Sequence, residues 1–388
     1  MPDGREPASI RLVERIADVP AASWDACAGG DNPTVSHAFL HALEESGSAT
    51  AEAGWLPQHL LMEDGAGRLI AAAPLYLKSH SYGEYVFDHG WADAYERAGG
   101  RYYPKLQVAV PFTPVPGPRL LVRADAPAGS CETLIAALVE IARRHRVSSL
   151  HVTFPLEAEW RKLGEAGLLL REGEQFHWEN RGYASFEAFL AALSSRKRKN
   201  IRKERAAAVA DGIEILTLTG SAIEPRHWDA FFRFYRNTGD RKWGYPYLTR
   251  DFFHRLGATM ADKVVLIIAE QRGRPIAGAL NLLGSDTLYG RNWGCLGEFP
   301  FLHFECCYYR AIDFAIARSL RRVEAGAQGP HKIQRGYLPV PTYSAHWIRD
   351  KAFAKAVADF LARERRAVAH EREALAEFSP FRKEPDRA

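Results

Sequence analysis

One pattern in this chain occurs twice, and it limits the fold more than any single residue. Residues 60–77 read LLMEDGAGRLIAAAPLYL, and residues 266–283 read LIIAEQRGRPIAGALNLL. In both, an apolar run ends in acidic and turn-forming residues, passes a Gly-Arg pair (Gly67-Arg68 and Gly273-Arg274), and enters a longer apolar run. Apolar runs of strand length on either side of a glycine turn predict a buried antiparallel hairpin. The surroundings repeat as well. Leu134–His145 and Tyr308–Arg318 carry apolar residues three and four apart, as one face of a helix requires, and each precedes a short apolar strand, Ser149–Phe154 and Arg322–Ala325. Helices are also expected upstream of each hairpin, over Ser36–Ser46 in the first copy and over Pro225–Thr238 and Thr249–Met260 in the second. The repeated unit is therefore helices, hairpin, strand, helix, strand.

Two copies suit 388 residues, which exceed one ordinary domain. The Gly-Arg turns lie 206 residues apart and the later strands about 172, so the first copy carries roughly 34 additional residues, placed within 79–118. The expected fold class is α/β with mixed sheets: a first domain over 1–183 with that insertion, and a second over 184–388 that opens on a basic helix and closes on a helix near Asp350–Glu377. In the last helix Phe353, Val357, Phe360 and Leu361 are expected to face the core.

Composition removes several function classes. The five cysteines form no CxxC pair, so neither a zinc site nor a disulfide framework is expected. There is no signal-peptide pattern and no run of about 18 apolar residues, which predicts a cytoplasmic protein without a membrane span. No G-x-S-x-G elbow, dinucleotide loop or Walker loop occurs. A net charge of +4 permits an anionic ligand without demanding nucleic acid.

Several strings are long and unusual in composition: Asn32-Pro33 with Ser36–Leu40, Gly54–Leu60, Pro74–Asp88, Tyr102–Leu106, Arg196–Arg205, Lys242-Trp243-Gly244, Leu302–Glu305 and Glu324–Tyr337. On these strings the chain resembles the FemAB-like predicted N-acyltransferases of bacteria, over nearly its whole length. The resemblance implies two tandem units of the GCN5-related N-acetyltransferase (GNAT) fold. The expected activity is acyl transfer to the amine of a small molecule or peptide, with acyl-coenzyme A a candidate co-substrate and no tightly bound cofactor. A Fem-type reaction is the alternative, taking an aminoacyl group from tRNA to a peptide or cell-wall precursor. A third reading, of another class, is a non-catalytic module that binds an anionic ligand.

Amine acylation needs a base for the incoming ammonium, donors for the tetrahedral oxyanion and an acid for the leaving group. The region Thr287–Ala315 offers candidates. Glu305 and His303 stand near a helix start as proton-handling groups, with Tyr289 or Tyr337 as acid. Tyr289, Arg291 and Trp293 alternate on a strand and so should share one face, and Tyr309 shares a helix face with Glu305. The insertion adds His80, Tyr82, Glu84, Asp88, Trp91, Tyr103 and Lys105 as substrate-binding candidates, expected to roof the second-half cleft. Gln328, Lys332 and Arg335 lie in a glycine-rich stretch suited to an anion, and Arg198 and Arg202 lie in a run of seven basic residues and one acid over Arg196–Arg205, suited to phosphate.

Coenzyme A-dependent members of the acetyltransferase fold carry Q/R-x-x-G-x-G/A ahead of a helix, where backbone N–H groups hold the pyrophosphate. The nearest string here, Arg291-Asn-Trp-Gly294-Cys-Leu296, has leucine at the last position.

Overall fold

The structure is a computed structural model that describes residues 8–242, 246–326 and 329–382. The chain forms two compact units. One contains Met1–Gly173 and Pro341–Val368, the other Glu174–Val340 and Ala369–Ala388. They differ from the expected halves 1–183 and 184–388, because the first unit takes back residues 341–368 late in the chain.

Both predicted hairpins form. In the first unit, His59–Glu63 pairs antiparallel with Leu69–Ala73, Leu60 opposite Ala73. The Asp64 carboxylate closes the turn by accepting from the backbone N–H groups of Ala66 and Arg68 at 3.1 and 3.0 Å. Proline lacks the ladder donor a central strand needs, and at Pro74 the apolar run divides. Leu69–Ala73 stays in a four-stranded sheet with Ser9–Val13, His59–Glu63 and Leu121–Val122, while Leu75–Lys78 enters a different sheet beside Trp55–Pro57 and Lys105–Val108. That second sheet continues through Ser149–Thr153, whose outer neighbour is residues 344–348 of the strand Leu338–Ile348. The insertion is thus more than a loop: it supplies the helix His89–Arg97 and the inner strand Lys105–Val108.

In the second unit, Val264–Gln271 pairs with Arg274–Leu283, which pairs with Thr287–Cys295. Ile213–Thr219 lies outside Val264–Gln271. Arg322–Glu324 runs parallel to Thr287–Cys295 and antiparallel to residues 177–179 of the strand Leu169–Glu179. Helices Pro225–Lys242 and Arg250–Thr259 precede the hairpin as expected, and Thr249 caps the latter by accepting from the Phe252 N–H at 3.2 Å. The core of this unit includes Trp178, Phe189, Leu288, Ile312, Val323 and Tyr337, all fully buried. Burying apolar side chains of this size contributes roughly 1.5–3 kcal/mol each.

The closing helix, Lys351–Ala376, buries Val357 and Leu361 against Trp91, Tyr102 and Ile348, with Phe353 packed alongside. Phe360, expected to face the core, is 41% exposed.

Candidate functional site

In the second unit the parallel strands Thr287–Cys295 and Arg322–Glu324 pair over only three positions: Thr287 with Arg322, Leu288 with Val323, Tyr289 with Glu324. At Gly290 the backbones almost touch, since a Cβ there would stand 2.9 Å from the Glu324 carbonyl oxygen. Glycine permits that approach. Just beyond lies a cleft of about 260 Å³. Gly290, Arg291, Asn292 and Trp293 line it from one strand, and Ala325, His331 and Lys332 from the segment after the other. His303, Cys307 and Tyr308 come from the helical stretch between them, and Asn281 from the neighbouring strand.

A β-bulge shapes the wall. Leu280 faces Asn292 and Asn281 faces Gly290, so Arg291 is the additional residue. The bulge also breaks the expected alternation. Arg291 and Trp293 line the cleft, whereas Tyr289, on the near side of the bulge, is buried and does not. Burial and the neighbouring Glu324 push the Tyr289 phenol far up.

The rings of His303 and Trp293 lie 5.3 Å apart, as do those of His303 and Tyr308. The Tyr308 hydroxyl and His331 Nε2 are 3.1 Å apart, within hydrogen-bond distance. Lys332 is almost wholly buried and donates to the carbonyls of Ala325 and Gly326 at 2.8 and 2.9 Å. Burial pushes its ammonium down to about 8. The cleft thus gathers two imidazoles, a phenol and a lysine of lowered pKa, a set able to move protons and meet negative charge.

Other expected site residues are scaffold. Glu305 is 1% exposed and lies in a π-helical turn, Glu305–Tyr309. Its carboxylate accepts from Arg205 at 2.9 and 3.0 Å and from Arg310 at 2.9 Å, and it does not line the cleft. Both carboxylate oxygens are thus occupied by guanidinium donors. Tyr309 donates to Glu204. Arg335 donates to Glu204 and to the His331 carbonyl, each at 2.8 Å, and lies 3.4 Å from the centre of the Phe304 ring. Tyr337 is fully buried and donates to the Tyr308 carbonyl at 3.3 Å. Arg202 pairs with Glu187 at the surface, and Arg198 does not reach the cleft. Gln328 and Trp243-Gly244 lie outside the described residues. Of the cleft residues, Asn281, Asn292 and Cys307 escaped the sequence reading. A polar Asn281 inside the apolar run LNLL was the available signal.

The string Arg291–Leu296 does not form a phosphate loop. A Cβ at Gly294 would lie 2.3 Å from the Phe234 carbonyl carbon, so this glycine admits the helix Pro225–Lys242 against the strand. Asn237 donates to the Cys295 carbonyl at 2.5 Å, and Thr238 Oγ1 accepts from the Cys295 N–H at 3.3 Å. The backbone that would cradle a pyrophosphate is engaged in helix docking.

In the first unit the insertion residues form a buried charge cluster. Lys105 Nζ donates to Ser81 at 2.7 Å, Glu84 at 2.8 Å and Asp88 at 2.5 Å, and Tyr102 donates to Asp88 at 2.7 Å. Lys78 Nζ lies 3.5 Å over the Trp55 ring and donates to the Tyr82 carbonyl. Burial pushes Lys78 down to about 7 and Glu84 up to about 7. Burial would raise Asp88 too, but Lys105 outweighs it and holds the carboxyl well below the usual range. His151 and His346 face each other across paired strands, Nδ1 to Nδ1 2.7 Å, and burial pushes His151 down to about 3. Lys105 thus ties one oxygen of Glu84 and one of Asp88, while Glu84 Oε1 and Asp88 Oδ1 are buried without a hydrogen-bond partner. Trp91 is buried against His346. His80 and Tyr103 are half-buried, and Tyr82 is 60% exposed.

Residues 15–383 match the FemAB-like family, described by peptidoglycan biosynthesis and recognition. Among solved structures the chain is similar to FemX, with a TM-score of 0.54 at 10% identity over 88% of this chain and 98% of that one. The C-terminal DUF2156 domain of a putative lysylphosphatidylglycerol synthetase from Agrobacterium fabrum gives 0.54 at 10% identity over 88% and 95%. L-PGS from Bacillus licheniformis gives 0.51 at 11% identity over 86% and 98%. At such identities the likeness is one of fold. No curated protein matches the chain in sequence. The mixed α/β architecture in tandem acetyltransferase-like units, and a family match spanning nearly every residue, agree: this chain belongs to the FemAB-like family.

Proposed function

We propose that the protein transfers an acyl or aminoacyl group to an amine of a peptidoglycan-related small molecule or peptide, and that the cleft beside Gly290 is where transfer occurs. Family membership supports the transferase reading. The observation that carries the placement is the parting of the strands at Gly290, with a bulge on one wall and Lys332 on the other.

The chemistry runs as follows. The acceptor ammonium gives a proton to an imidazole, His303 or His331. The free amine attacks the donor carbonyl carbon, a C–N bond forms, and the carbonyl oxygen becomes an oxyanion. The turned peptide at the bulge and the Lys332 ammonium stabilise that charge. The attacking nitrogen, cationic after the C–N bond forms, gives up its second proton. That proton passes through His331 and Tyr308 to the leaving group as the oxyanion collapses and the C–O or C–S bond breaks; the proton first taken by the imidazole is released to water. Glu305 has no part in these steps.

One observation favours an aminoacyl ester of tRNA over acyl-coenzyme A as donor. The backbone of Gly294 and Cys295 is already used to dock a helix, so a pyrophosphate finds no cradle there. On either reading the protein works in the cytoplasm, where such donors are made.

The test offers the purified protein an amine-bearing muropeptide with acetyl-coenzyme A or charged tRNA, and identifies products by mass spectrometry. An acylated amine is expected, lost on the order of 100-fold in His303→Ala and Lys332→Met variants that still melt cooperatively. Binding of the muropeptide with no product from either donor would establish a binding module and overturn the reading.

A further inference from the structure

The helix Ser195–Ala208 carries more positive charge than the fold neutralises. Its inward side is spoken for. Ile201 and Ala208 are buried, Arg205 pairs with Glu305 and Asp313, and Glu204 pairs with Arg335. Arg196, Lys199 and Lys203 recur three and four residues apart, which places them on one stripe, and all three are exposed. Exposed Arg202 flanks the stripe and is tied to Glu187. Among the described residues no acidic side chain forms an ion pair with Arg196, Lys197, Arg198, Lys199 or Lys203.

Exposed apolar side chains stand near the two ends of this helix. The segment ending the described chain lies along the residues that lead into the helix: Leu193 bridges Phe381, Ser194 N–H donates to the Pro380 carbonyl at 2.9 Å, and Arg382 N–H donates to the Ala192 carbonyl at 3.0 Å. Two residues before Pro380, Phe378 is 62% exposed, and Val209, just after the helix, is 39% exposed.

We propose that this outward helix face, together with Phe378, docks the protein on an anionic phospholipid surface. Charge complementarity supplies the first argument. Basic side chains near such a surface are attracted to its headgroups, and a basic helix edged by exposed apolar side chains is the pattern of peripheral membrane attachment. A short basic row and one aromatic ring are each weak, and attachment of useful strength takes two signals acting together. A nucleic acid is the poorer fit. It would leave Phe378 and Val209 without a role, and the helix offers no aromatic platform for bases. No helix among the described residues is long and apolar enough to cross a membrane, so attachment would be peripheral. The same helix is joined to the cleft wall, because Glu204 holds Arg335, and Arg335 holds the carbonyl of the cleft residue His331. The attachment itself does not depend on what the cleft does.

Vesicle co-sedimentation of the full chain tests this. Phosphatidylcholine vesicles with a third phosphatidylglycerol should bind the protein, pure phosphatidylcholine should not, and high salt should release it. At about fivefold per charge, Arg196→Gln, Lys199→Gln and Lys203→Gln combined should weaken binding about 100-fold, and Phe378→Ser alone about tenfold. These side chains are exposed, so circular dichroism and turnover of a soluble acceptor should be unchanged. Wild-type protein that ignores phosphatidylglycerol, or a triple variant that binds like wild type, would overturn the proposal. So would bulk tRNA that binds the wild-type face and displaces it from vesicles. Should a variant fail to fold, the wild-type comparison of lipids and salt still decides. Loss of membrane binding with intact turnover, or the reverse, separates this proposal from the transferase reading.

Discussion

Glu305→Gln separates a base from a brace. The substitution keeps the side chain's shape and one acceptor oxygen but removes the charge. In the structure Glu305 is 1% exposed, and its partners Arg205 and Arg310 are 22% and 32% exposed at the side chain. Removing one partner of a buried ion pair costs about 3–5 kcal/mol. Here the loss is smaller for two reasons. Arg205 keeps Asp313, 2.6 Å from its Nη2, and both arginines reach water. Gln also retains a neutral hydrogen bond to one of them, worth about 1 kcal/mol. The expected destabilisation is about 2 kcal/mol, read as a lower urea midpoint with unchanged slope. Turnover per folded molecule should stay within about twofold, because Glu305 touches neither cleft nor substrate. A double-mutant cycle with Arg310→Met should show coupling of about 1 kcal/mol. A fall in kcat on the order of 100-fold at unchanged stability would refute this reasoning and restore Glu305 as the base.

Three further outcomes are expected. Gly294→Ala drives a Cβ to 2.3 Å from the Phe234 carbonyl carbon, where backbone and not a flexible side chain must yield; urea unfolding should show a loss of about 1–3 kcal/mol. Lys332 is cationic below about 8 and neutral above, so kcat/KM should fall as pH rises through 8, and Lys332→Arg, if active, should lack that alkaline limb. His151 has its folded pKa pushed below the ordinary value to about 3. The unfolded chain therefore takes up the proton first as pH drops below about 6.5, and stability is lost on the acid side. At pH 5 one such histidine costs about 2 kcal/mol, so His151→Gln should show a shallower decline between pH 6.5 and 5 than wild type, measured by urea midpoints.

What the sequence revealed and what it concealed follow from range. The hairpins at 60–77 and 266–283 were legible because a strand pair joined by a glycine turn is a local object. The helices expected over Ser36–Ser46 and Thr249–Met260 are local as well, and form as His37–Glu45 and Arg250–Thr259. The pairing of Glu305 with Arg205 was not legible, because the two stand 100 positions apart. Tyr289 was grouped with Arg291 and Trp293 because strict alternation assumes an unbroken ladder, and the bulge at Leu280/Asn281 leaves no mark in composition. Glu84, Asp88 and Lys105 were recognised as unusual for a loop, yet only the fold shows that they answer one another. His303, Arg291, Trp293 and Lys332 line one cleft, since the strand-helix-strand order brings those positions together.

The late return of the chain to the first unit has a consequence for synthesis. Ser149–Thr153 has residues 344–348 as one flanking neighbour, and these leave the ribosome about 195 positions after it. At roughly 5–20 residues per second this strand waits about 10–40 s with an open edge. A nascent chain in that interval exposes unsatisfied amides and the apolar side chains of Leu150 and Val152 to whatever crowds it. Message truncation or ribosome stalling before residue 344 should therefore yield a product that clumps, however well the earlier residues have folded.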